Sequence, residues 1–580
     1  MKFLPFLFGL TCVFNAGASG DWPLHGLDRN NHRLADITEI DAGNVGKLER
    51  KWTWHSGVKG TFQTTPIVVG GVMYVSLPFS HVAALDADTG KELWRYQHQR
   101  RRQKMCCGPA NRGVAVANGR VFVGTVDARL IALDAKSGKV LWDVEVAPPV
   151  TLTESGQGVT GDGQTVSGSS GIGIAAAPMV FEDRVLVGVT GLGYGLHLDS
   201  ARPGAPLGSV VGLPGQYGGV GFLAAFDVAS GQRVWKFDTV RSPEAGGWEG
   251  EYRTHTPDGV PLNRNIKAEK ALAAQRKHAW KHGGGSVWNV AALDDESGLL
   301  FFGVGNPSPQ MDDSGRPGDN LYTSSLVAID ARSGAYRWHY QQVPHDLWGY
   351  DLASAPVLFS AKVDGKNVPA VGHASKLGWF YAHERTSGRL LWKSEAFVPQ
   401  ENLFAHATRA GIRIAPGVGG GANWSPVALD ADRGKVFIAA MHMPTRYYLK
   451  TLPATKDEPA VDYASVEIAP EDERWGVLAA IDLNAQGRIS WTTRTPDPLV
   501  GGVLALKSGV IFTGEGDGNL SAFSAQTGKR LWQHDCGAGA NAPPIAYRSS
   551  DGEPRIAVAA GGSALWGYQQ GDTVVVFGQP

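Results

Sequence analysis

The sequence predicts an all-β fold, an eight-bladed β-propeller of four-stranded blades with loop insertions, and three observations support this prediction. The first is composition: glycine accounts for 76 of 580 residues, tryptophan for 18, and charged residues for only 19%, as is typical of turn-rich β proteins. The second is a phrase that recurs along the chain and ends each time at a tryptophan. The third is its spacing, because close copies lie about 40–50 residues apart, the length of one blade.

Each copy of the phrase consists of an apolar strand, an acidic turn with Thr or Ser before glycine, and a second strand that ends at tryptophan. Residues 84–90 precede Trp94, and residues 132–138 precede Trp142. The later copies end at Trp235, Trp338, Trp392, Trp491 and Trp532. Asp, Thr and Ser side chains bond backbone amides in such turns, and glycine adopts positive φ there. Each copy is therefore predicted to be a hairpin whose tryptophan covers the seam to the next blade.

The two chain ends are predicted to close the ring. Residues 48–52 resemble an eighth closing strand without its upstream partner, and the apolar run 573–577 would supply the strand that closes the ring against the first blade. A closed ring exposes only short sheet edges. We therefore predict one domain over residues 19–580, in preference to several small β-domains in a row.

Three insertions interrupt the repeat, at about residues 151–174, 192–219 and 240–283, and are rich in Gly, Pro and charge. They are expected to form loops over one mouth of the ring, where substrate choice would lie. Within the third, residues 266–282 lack Gly and Pro and are rich in Ala and Lys, so a helix is predicted there.

The N-terminus indicates a destination outside the cytoplasm. A basic start, an apolar run over residues 3–14 and Ala16-Gly17-Ala18 together predict a signal peptide over residues 1–18 and a periplasmic protein. The 54 basic and 55 acidic residues nearly balance, which argues against a nucleic-acid partner. No apolar run of about 18 residues follows, so no transmembrane segment is predicted.

The repeat, with Cys106-Cys107 and Asn111-Arg112-Gly113 just after it, resembles the quinoprotein alcohol dehydrogenases. Those enzymes use pyrroloquinoline quinone (PQQ) on an eight-bladed propeller. The resemblance implies that Cys106 and Cys107 form a disulfide against one face of the flat cofactor. It also implies that Trp288, in Ser286-Val287-Trp288, forms the other face, where an indole gains stacking contact.

Further matches extend the implied cofactor site. Arg112 resembles the arginine that pairs with a cofactor carboxylate. Lys376 occupies the position of a cation near the quinone oxygens, where it would stabilise the reduced, negatively charged form. Asn423 and Trp424 match a loop that contacts the cofactor, and Gln63 stands where the family has a glutamate beside a Thr-Pro pair.

The implied metal site is depleted. Asn306 matches a metal ligand of the family, and amide oxygens suit a hard cation such as calcium. The family's metal-binding glutamate is missing: one alignment puts Gly193 there, and the other, which we prefer slightly, puts Gln216. Asp351 stands where some members place an aspartate in the metal shell. Calcium, or another divalent or trivalent cation, is therefore expected to bind weakly.

The general base is the most serious departure. The family has an aspartate directly after the tryptophan of this segment, but Gly349 follows Trp348 here. Asp351 lies two residues on, and residues two apart in an extended chain face the same side. Asp351 is therefore the candidate base, with Lys376 as its catalytic companion. A missing base typically lowers the rate by about 10²–10⁴-fold.

The resemblance implies a periplasmic oxidoreductase that oxidises a small alcohol with PQQ. The chain contains no Cys-x-x-Cys-His motif for its own haem c, so electrons would pass to a separate acceptor such as a periplasmic cytochrome c. Two alternatives stay open: a non-catalytic PQQ-binding propeller that serves as carrier or sensor, and a scaffold propeller.

Overall fold

Eight antiparallel four-stranded arrays form the blades of a β-propeller in the computed structural model. This confirms the predicted fold class. The structure describes residues 20–101, 109–148, 172–191, 219–308, 310–311, 313, 315–452, 461–563 and 565–580, with short strands at 158–159, 165–168, 196–198 and 210–211.

The blades follow one another along the chain, and within blades 1–7 the strands pair in chain order. Blades 1–4 comprise Ile67–Val69, Val72–Ser76, Val82–Asp86 and Glu92–Tyr96; Ala115–Ala117, Arg120–Gly124, Arg129–Asp134 and Val140–Glu145; Met179–Phe181, Arg184–Gly188, Phe222–Asp227 and Arg233–Asp238; and Ala292–Asp294, Leu299–Gly303, Ser325–Asp330 and Tyr336–Gln341. Blades 5–7 comprise Val357–Val363, Lys366–Ala374, Phe380–Glu384 and Leu390–Lys393; Ala428–Asp430, Lys435–His442, Trp475–Asp482 and Arg488–Thr495; and Val503–Leu506, Val510–Gly514, Asn519–Ser524 and Arg530–Asp535.

Blade 8 joins the two ends of the chain. Its strands are Ile545–Arg548, Pro554–Ala560, Thr573–Gly578 and, as the fourth, Glu49–His55 from the N-terminal region. Trp54 pairs with Val574 in this closure. The predicted closing segments are therefore correct, but both belong to the eighth blade, and the C-terminal strand does not join the first.

Smaller elements lie outside the blade strands. Two further sheets comprise Ile412–Ile414, Thr445–Leu452 and Val461–Ile468, and Gly158–Val159, Thr165–Gly168, Leu196–Leu198 and Val210–Val211; Leu34–Ala35 adds a parallel strand to blade 7. Short 3-10 turns occupy Val45–Lys47, Pro78–Ser80, Pro243–Ala245, Ala279–His282 and Glu471–Glu473. No helix in the described ranges has the length and apolar character that crossing a bilayer requires.

The predicted helix over residues 266–282 is shorter than expected. It covers Ile266–Ala273 only, and Asn265 caps its start by accepting a hydrogen bond from the backbone of Ala268. After the helix ends, Ala279 packs with Val240 and Trp248 in a small apolar cluster. Tertiary packing of this kind overrides the helix propensity of the remaining residues.

The tryptophans of the repeat cover the seams between blades, as predicted. In six of the eight, Nε1 donates to a backbone carbonyl of the next blade: Trp52 to Ala87, Trp94 to Ala135, Trp142 to Val228, Trp235 to Ala331, Trp338 to Arg385 and Trp491 to Ala525, at 3.0–3.2 Å. The Nε1 of Trp392 is buried without a hydrogen-bond partner in the described part of the chain. In the six bonded pairs the indole lies on the turn glycine of the next blade. At Gly138 (φ 68°) an added Cβ would lie 2.4 Å from Cε3 of Trp94, so the turn and the seam both require glycine.

Residues 29–33 cross the inner edges of four successive blades. Their backbone carbonyls accept hydrogen bonds, at 2.8–3.0 Å, from the first strands of blades 4, 5, 6 and 7 in that order. The pairs are Arg29 with Leu293, Asn30 with Leu358, His32 with Leu429 and Arg33 with Ala505. We call these five residues the axial segment. It links blades that are far apart in the sequence.

The Arg33 side chain anchors the axial segment. It is fully buried and donates to three backbone carbonyls, those of His25 (2.5 Å), Val503 (2.9 Å) and Pro544 (2.5 Å). Val503 begins blade 7 and Pro544 directly precedes blade 8. One guanidinium therefore connects the N-terminal region to both blades.

Candidate functional site

Asp351, Lys376 and Trp288 form a buried polar group. Oδ1 of Asp351 lies 2.5 Å from Nζ of Lys376, and Oδ2 accepts a hydrogen bond of 2.7 Å from Nε1 of Trp288. Asp351 is only 3% exposed and Lys376 7%. These three residues, predicted separately from the sequence, are therefore brought together by the fold.

Blades 4, 5 and 6 position this group. Asp351 lies on the connection from blade 4 to blade 5, and Lys376 follows the second strand of blade 5. Nζ of Lys376 also donates to the carbonyl of Gly349 (2.9 Å). Its alkyl stem lies against Gly420 (φ 79°), where an added Cβ would be 2.4 Å from Cγ of Lys376. Glycine at 420 thus lets the backbone approach the lysine stem closely.

Arg112 lies between two tryptophans. Its guanidinium carbon is 5.1 Å from the Trp288 ring centroid and 5.2 Å from that of Trp424, within the range of cation–π attraction. Nη1 donates to the carbonyl of Trp288 (3.1 Å). The backbone of Arg112 is itself held, since its carbonyl accepts from Thr65 and its N–H donates to Ala175.

Several buried polar atoms around Arg112 and Trp424 have no hydrogen-bond partner within the part of the chain that the structure describes. They are Oε1 of Gln63, Oγ1 of Thr65, Oδ1 of Asn423, Nε1 of Trp424 and Nε1 of Trp566. Each such atom costs about 1–3 kcal/mol when it is left unsatisfied. Because native proteins satisfy nearly all buried polar groups, this concentration indicates a place for a polar ligand.

Contacts connect several of the residues that carry these atoms to Arg112 or to one another. Trp424 and Trp566 lie with ring centroids 5.6 Å apart, and Thr65 bonds the backbone of Arg112. Asn423 is fixed by its Nδ2, which donates to Gly419 (2.8 Å). Three tryptophans, one guanidinium and the amide of Asn423 thus lie together, which suits a flat anion with several oxygens.

Ser286 and Asn306 lie on adjacent buried segments next to Trp288. The N–H of Gly305 donates to the carbonyl of Ser286 (2.7 Å), and the N–H of Gly285 donates to that of Asn306 (3.0 Å). The Nδ2 of Asn306 donates to the carbonyl of Pro307 (3.0 Å). Both predicted residues therefore lie on or are hydrogen-bonded to the segment that carries Trp288.

Cys106, Cys107 and Gln216 lie outside the described residues. The disulfide, its contact with a cofactor and the metal role of Gln216 thus stay predictions. Cys536, which the structure does describe, has a free thiol that is partly buried.

The donors around Asp351 do not fit a divalent cation. Among the described residues, no three His, Cys, Asp or Glu side chains converge as a metal cluster would require. Oδ2 of Asp351 accepts from Trp288, and Oδ1 is in ionic contact with the ammonium of Lys376, without a hydrogen-bond partner among the described residues. Two like charges about 4 Å apart repel by roughly 4 kcal/mol at an effective dielectric constant near 20, so the lysine opposes a cation at this carboxylate.

The electrostatic environment around His25 is positive. Burial is the main cause that holds the pKa of His25 well below its usual value, and the charges of Arg33 and Arg112 lower it further. His25 is therefore neutral near pH 7, and the two buried guanidinium groups supply the local charge. A positive field of this kind favours an anionic ligand.

Asp346 has a structural role in the same segment. Its Oδ1 accepts hydrogen bonds from the backbone N–H groups of Trp348 (2.9 Å) and Gly349 (3.0 Å), and its Oδ2 accepts one from Ser324. Burial raises the pKa of this carboxyl. The turn that carries Gly349 is thus held in place from within.

Two site residues were missed by sequence reasoning. Gln310 is buried beside Gly349: a Cβ added at Gly349 would lie 2.2 Å from Nε2 of Gln310. Trp566 packs on Trp424. For Trp566 the signal was a tryptophan that stands outside the repeat phrase; Gln310 belongs to no motif and carried no signal.

Comparison with known proteins gives consistent matches along the chain. A family model described as the PQQ glucose/ethanol/alcohol dehydrogenase β-propeller domain matches residues 22–407 and 398–555. Quinoprotein alcohol dehydrogenase PedH of Pseudomonas putida is 31% identical over 583 residues, which cover 96% of this chain and 89% of that protein. Quinoprotein ethanol dehydrogenase of Pseudomonas aeruginosa is 32% identical over 595 residues, covering 96% and 88%. The crystal structure of quinohemoprotein alcohol dehydrogenase from Comamonas testosteroni superposes with a TM-score of 0.77 at 29% identity, over 97% of this chain and 81% of that one.

Proposed function

The chain belongs to the family of PQQ-dependent alcohol dehydrogenases, and from this membership we propose that it is an oxidoreductase that oxidises an alcohol with bound PQQ. The observation that carries the proposal is the buried contact between Asp351 and Lys376, with Trp288 on the second carboxylate oxygen. A proton acceptor and a cation are thereby held together beside the aromatic cluster that suits the cofactor.

The residues around Arg112 fit PQQ as a flat, multiply charged anion. Arg112 would pair with a cofactor carboxylate, and Trp288 would stack on the ring system. The unsatisfied atoms of Gln63, Thr65 and Asn423 would meet its polar edge. Bound PQQ supplies the two-electron oxidising group of the reaction.

Asp351 and Lys376 divide the remaining chemistry between them. The carboxylate of Asp351 takes the proton of the alcohol hydroxyl, and the ammonium of Lys376 stabilises the negative charge that develops on oxygen. The Trp288 indole fixes the orientation of the carboxylate through its 2.7 Å hydrogen bond. Because both groups are almost fully buried, water competes little with these interactions.

A direct experiment combines purified protein, PQQ, simple primary alcohols and an artificial electron acceptor. Alcohol-dependent reduction of the acceptor, together with quenching of tryptophan fluorescence by PQQ, supports the proposal. Spectral changes on adding PQQ without acceptor reduction would favour a carrier or sensor that binds PQQ. Gly349, which provides no carboxylate where the family has its base, is the observation that favours this second candidate. No spectral change with PQQ would leave a scaffold propeller.

We further propose that Lys376 replaces a metal ion as the cation of the site. If so, a chelator changes PQQ affinity by less than about twofold in the unmodified protein. Lys376→Met leaves Asp351 as an unpaired carboxylate beside an anionic ligand, so affinity falls by at least about tenfold, in line with a lost charge-assisted bond. Calcium then restores part of it, because the carboxylate becomes open to a cation. Fluorescence titration with PQQ measures all three effects.

Lys362→Met provides the control, because Lys362 is exposed on a strand of blade 5 and its loss leaves affinity unchanged. Loss of PQQ binding on chelation of the unmodified protein would contradict the proposed role of Lys376. That result would instead support calcium, which the sequence predicts, as the cation of the site.

The location and the electron acceptor are further proposals. The signal-like residues 1–18 support export to the periplasm, and a small redox protein such as a cytochrome c would take the electrons. Cell fractionation tests the location. Alcohol-dependent reduction of added cytochrome c, followed by its absorbance, tests the acceptor.

A further inference from the structure

The side chain of Gln310 fills the space that a side chain at position 349 would need. Gly349 has φ 83°, and a Cβ built there would lie 2.2 Å from Nε2 of Gln310. Gln310 is only 3% exposed. The amide thus lies directly beside the glycine whose carbonyl accepts the hydrogen bond of Lys376.

Gln310 is held in this place by the backbone around it. Nη2 of the fully buried Arg316 donates to the carbonyl of Gln310 (3.3 Å) and to that of Asp346 (2.7 Å). Nη1 of Arg316 donates to Oδ1 of Asn320 (2.6 Å). One guanidinium therefore joins the loop of Gln310 to the segment that carries Gly349 and Asp351.

The amide oxygen of Gln310 lacks a donor. Oε1 is buried and accepts no hydrogen bond from any residue that the structure describes. An unsatisfied buried acceptor costs about 1–3 kcal/mol, and a ligand with a suitably placed polar hydrogen would recover that cost. Gln310 lies beside Gly349, two residues from the proposed base Asp351, so a second hydroxyl on the alcohol would supply such a donor.

We propose that Gln310 is a substrate-positioning residue and that the preferred substrates are alcohols with a second hydroxyl on the neighbouring carbon, vicinal diols and polyols. The first hydroxyl faces Asp351, and the second donates to Oε1 of Gln310. This inference rests on the proposed alcohol oxidation and specifies its substrate class. Sites built to bond a substrate hydroxyl discriminate strongly against analogues that lack it.

The test compares 1,2-propanediol with 1-propanol in the PQQ-loaded protein. We expect kcat/KM to be at least about tenfold higher for the diol. Gln310→Leu keeps a similar shape but removes the acceptor, so this preference falls by at least about tenfold. The kcat/KM for the diol falls, and the kcat/KM for 1-propanol does not change. Gln310→Glu keeps an acceptor oxygen and keeps the preference. PQQ affinity, measured by fluorescence quenching, stays the same in Gln310→Leu, which changes no charge.

Gln341→Leu is the matched control, because Gln341 is another buried glutamine near the end of blade 4 whose Nε2 donates to the carbonyls of Asp319 and Thr323. It should leave the diol preference intact. A preference for 1-propanol in the unmodified protein, or an unchanged ratio in Gln310→Leu, overturns the role of Gln310.

A binding measurement separates this proposal from the proposed function. If the PQQ-loaded protein oxidises neither alcohol, alcohol oxidation is refuted, and thermal unfolding of the same protein with each alcohol still decides the role of Gln310. A diol-specific rise in the unfolding temperature that Gln310→Leu abolishes supports it. Equal shifts with the two alcohols contradict it.

Discussion

Asp351→Asn is expected to lower kcat for alcohol oxidation by about 10²–10⁴-fold, the usual cost of losing a general base. An amide keeps an oxygen for the indole N–H of Trp288, so the geometry around the second oxygen is retained. It cannot take a proton from the substrate. Removing one negative charge next to Lys376 should also leave PQQ bound at least as tightly, because the cofactor is an anion. Dye reduction measures the first effect and fluorescence titration the second.

Asp346→Asn is the control for this result. Asp346 is also buried, but its carboxylate bonds backbone N–H groups and Ser324, and asparagine can still accept from the backbone. Its kcat should stay within about tenfold of the unmodified protein, well inside the loss expected for a missing base. Equal losses in the two variants would show that Asp351 acts only as part of the buried structure.

Arg33→Met is expected to reduce the free energy of unfolding by at least about 3 kcal/mol, since three buried carbonyls lose their donor at about 1–3 kcal/mol each. Methionine fills much of the volume but bonds none of them. The loss should be visible as a lower midpoint in guanidinium chloride with a similar slope. PQQ affinity should fall as well, because one of the two buried positive charges around His25 is removed.

Arg29→Met tests whether any arginine of the axial segment would give the same loss. Arg29 bonds the carbonyl of Val180 and the exposed carboxylate of Asp295, and its side chain is one-third exposed. Partly exposed pairs of this kind contribute about 0–1 kcal/mol. A midpoint for Arg33→Met that matches the one for Arg29→Met would refute the anchoring role of Arg33.

The blade repeat could be predicted from sequence because its signals are local. A turn of Asp, Ser or Thr and glycine lies within a few residues of the tryptophan that packs on the next blade, as at Gly138 and Trp94. The axial segment could not be predicted in this way. It acts mainly through backbone carbonyls, and any residue supplies one, so the sequence holds no pattern for it.

The candidate site divides along the same line. Arg112, Trp288, Asp351 and Lys376 lie in motifs that the resemblance covers, and the fold brings each into contact with the next in this order. Gln310 was missed because its role depends on a residue that is near it only in the folded chain. The structure shows that its amide occupies the space that a side chain at position 349 would need. A single sequence does not show that the side chain of one residue fills the space left by a glycine far away in the chain.

The pairing of Glu49–His55 with Thr573–Gly578 has a consequence for how the molecule is made. During synthesis, the strand Glu49–His55 stays unpaired until its partner Thr573–Gly578 has been made. Roughly 500 further residues must therefore be added before this strand edge is covered. Contacts between such distant residues form slowly, because the entropy of closing the loop has to be overcome first. Assembly should therefore finish only after release of the complete polypeptide, and products that stop short of residue 573 should be open, sticky and rapidly degraded.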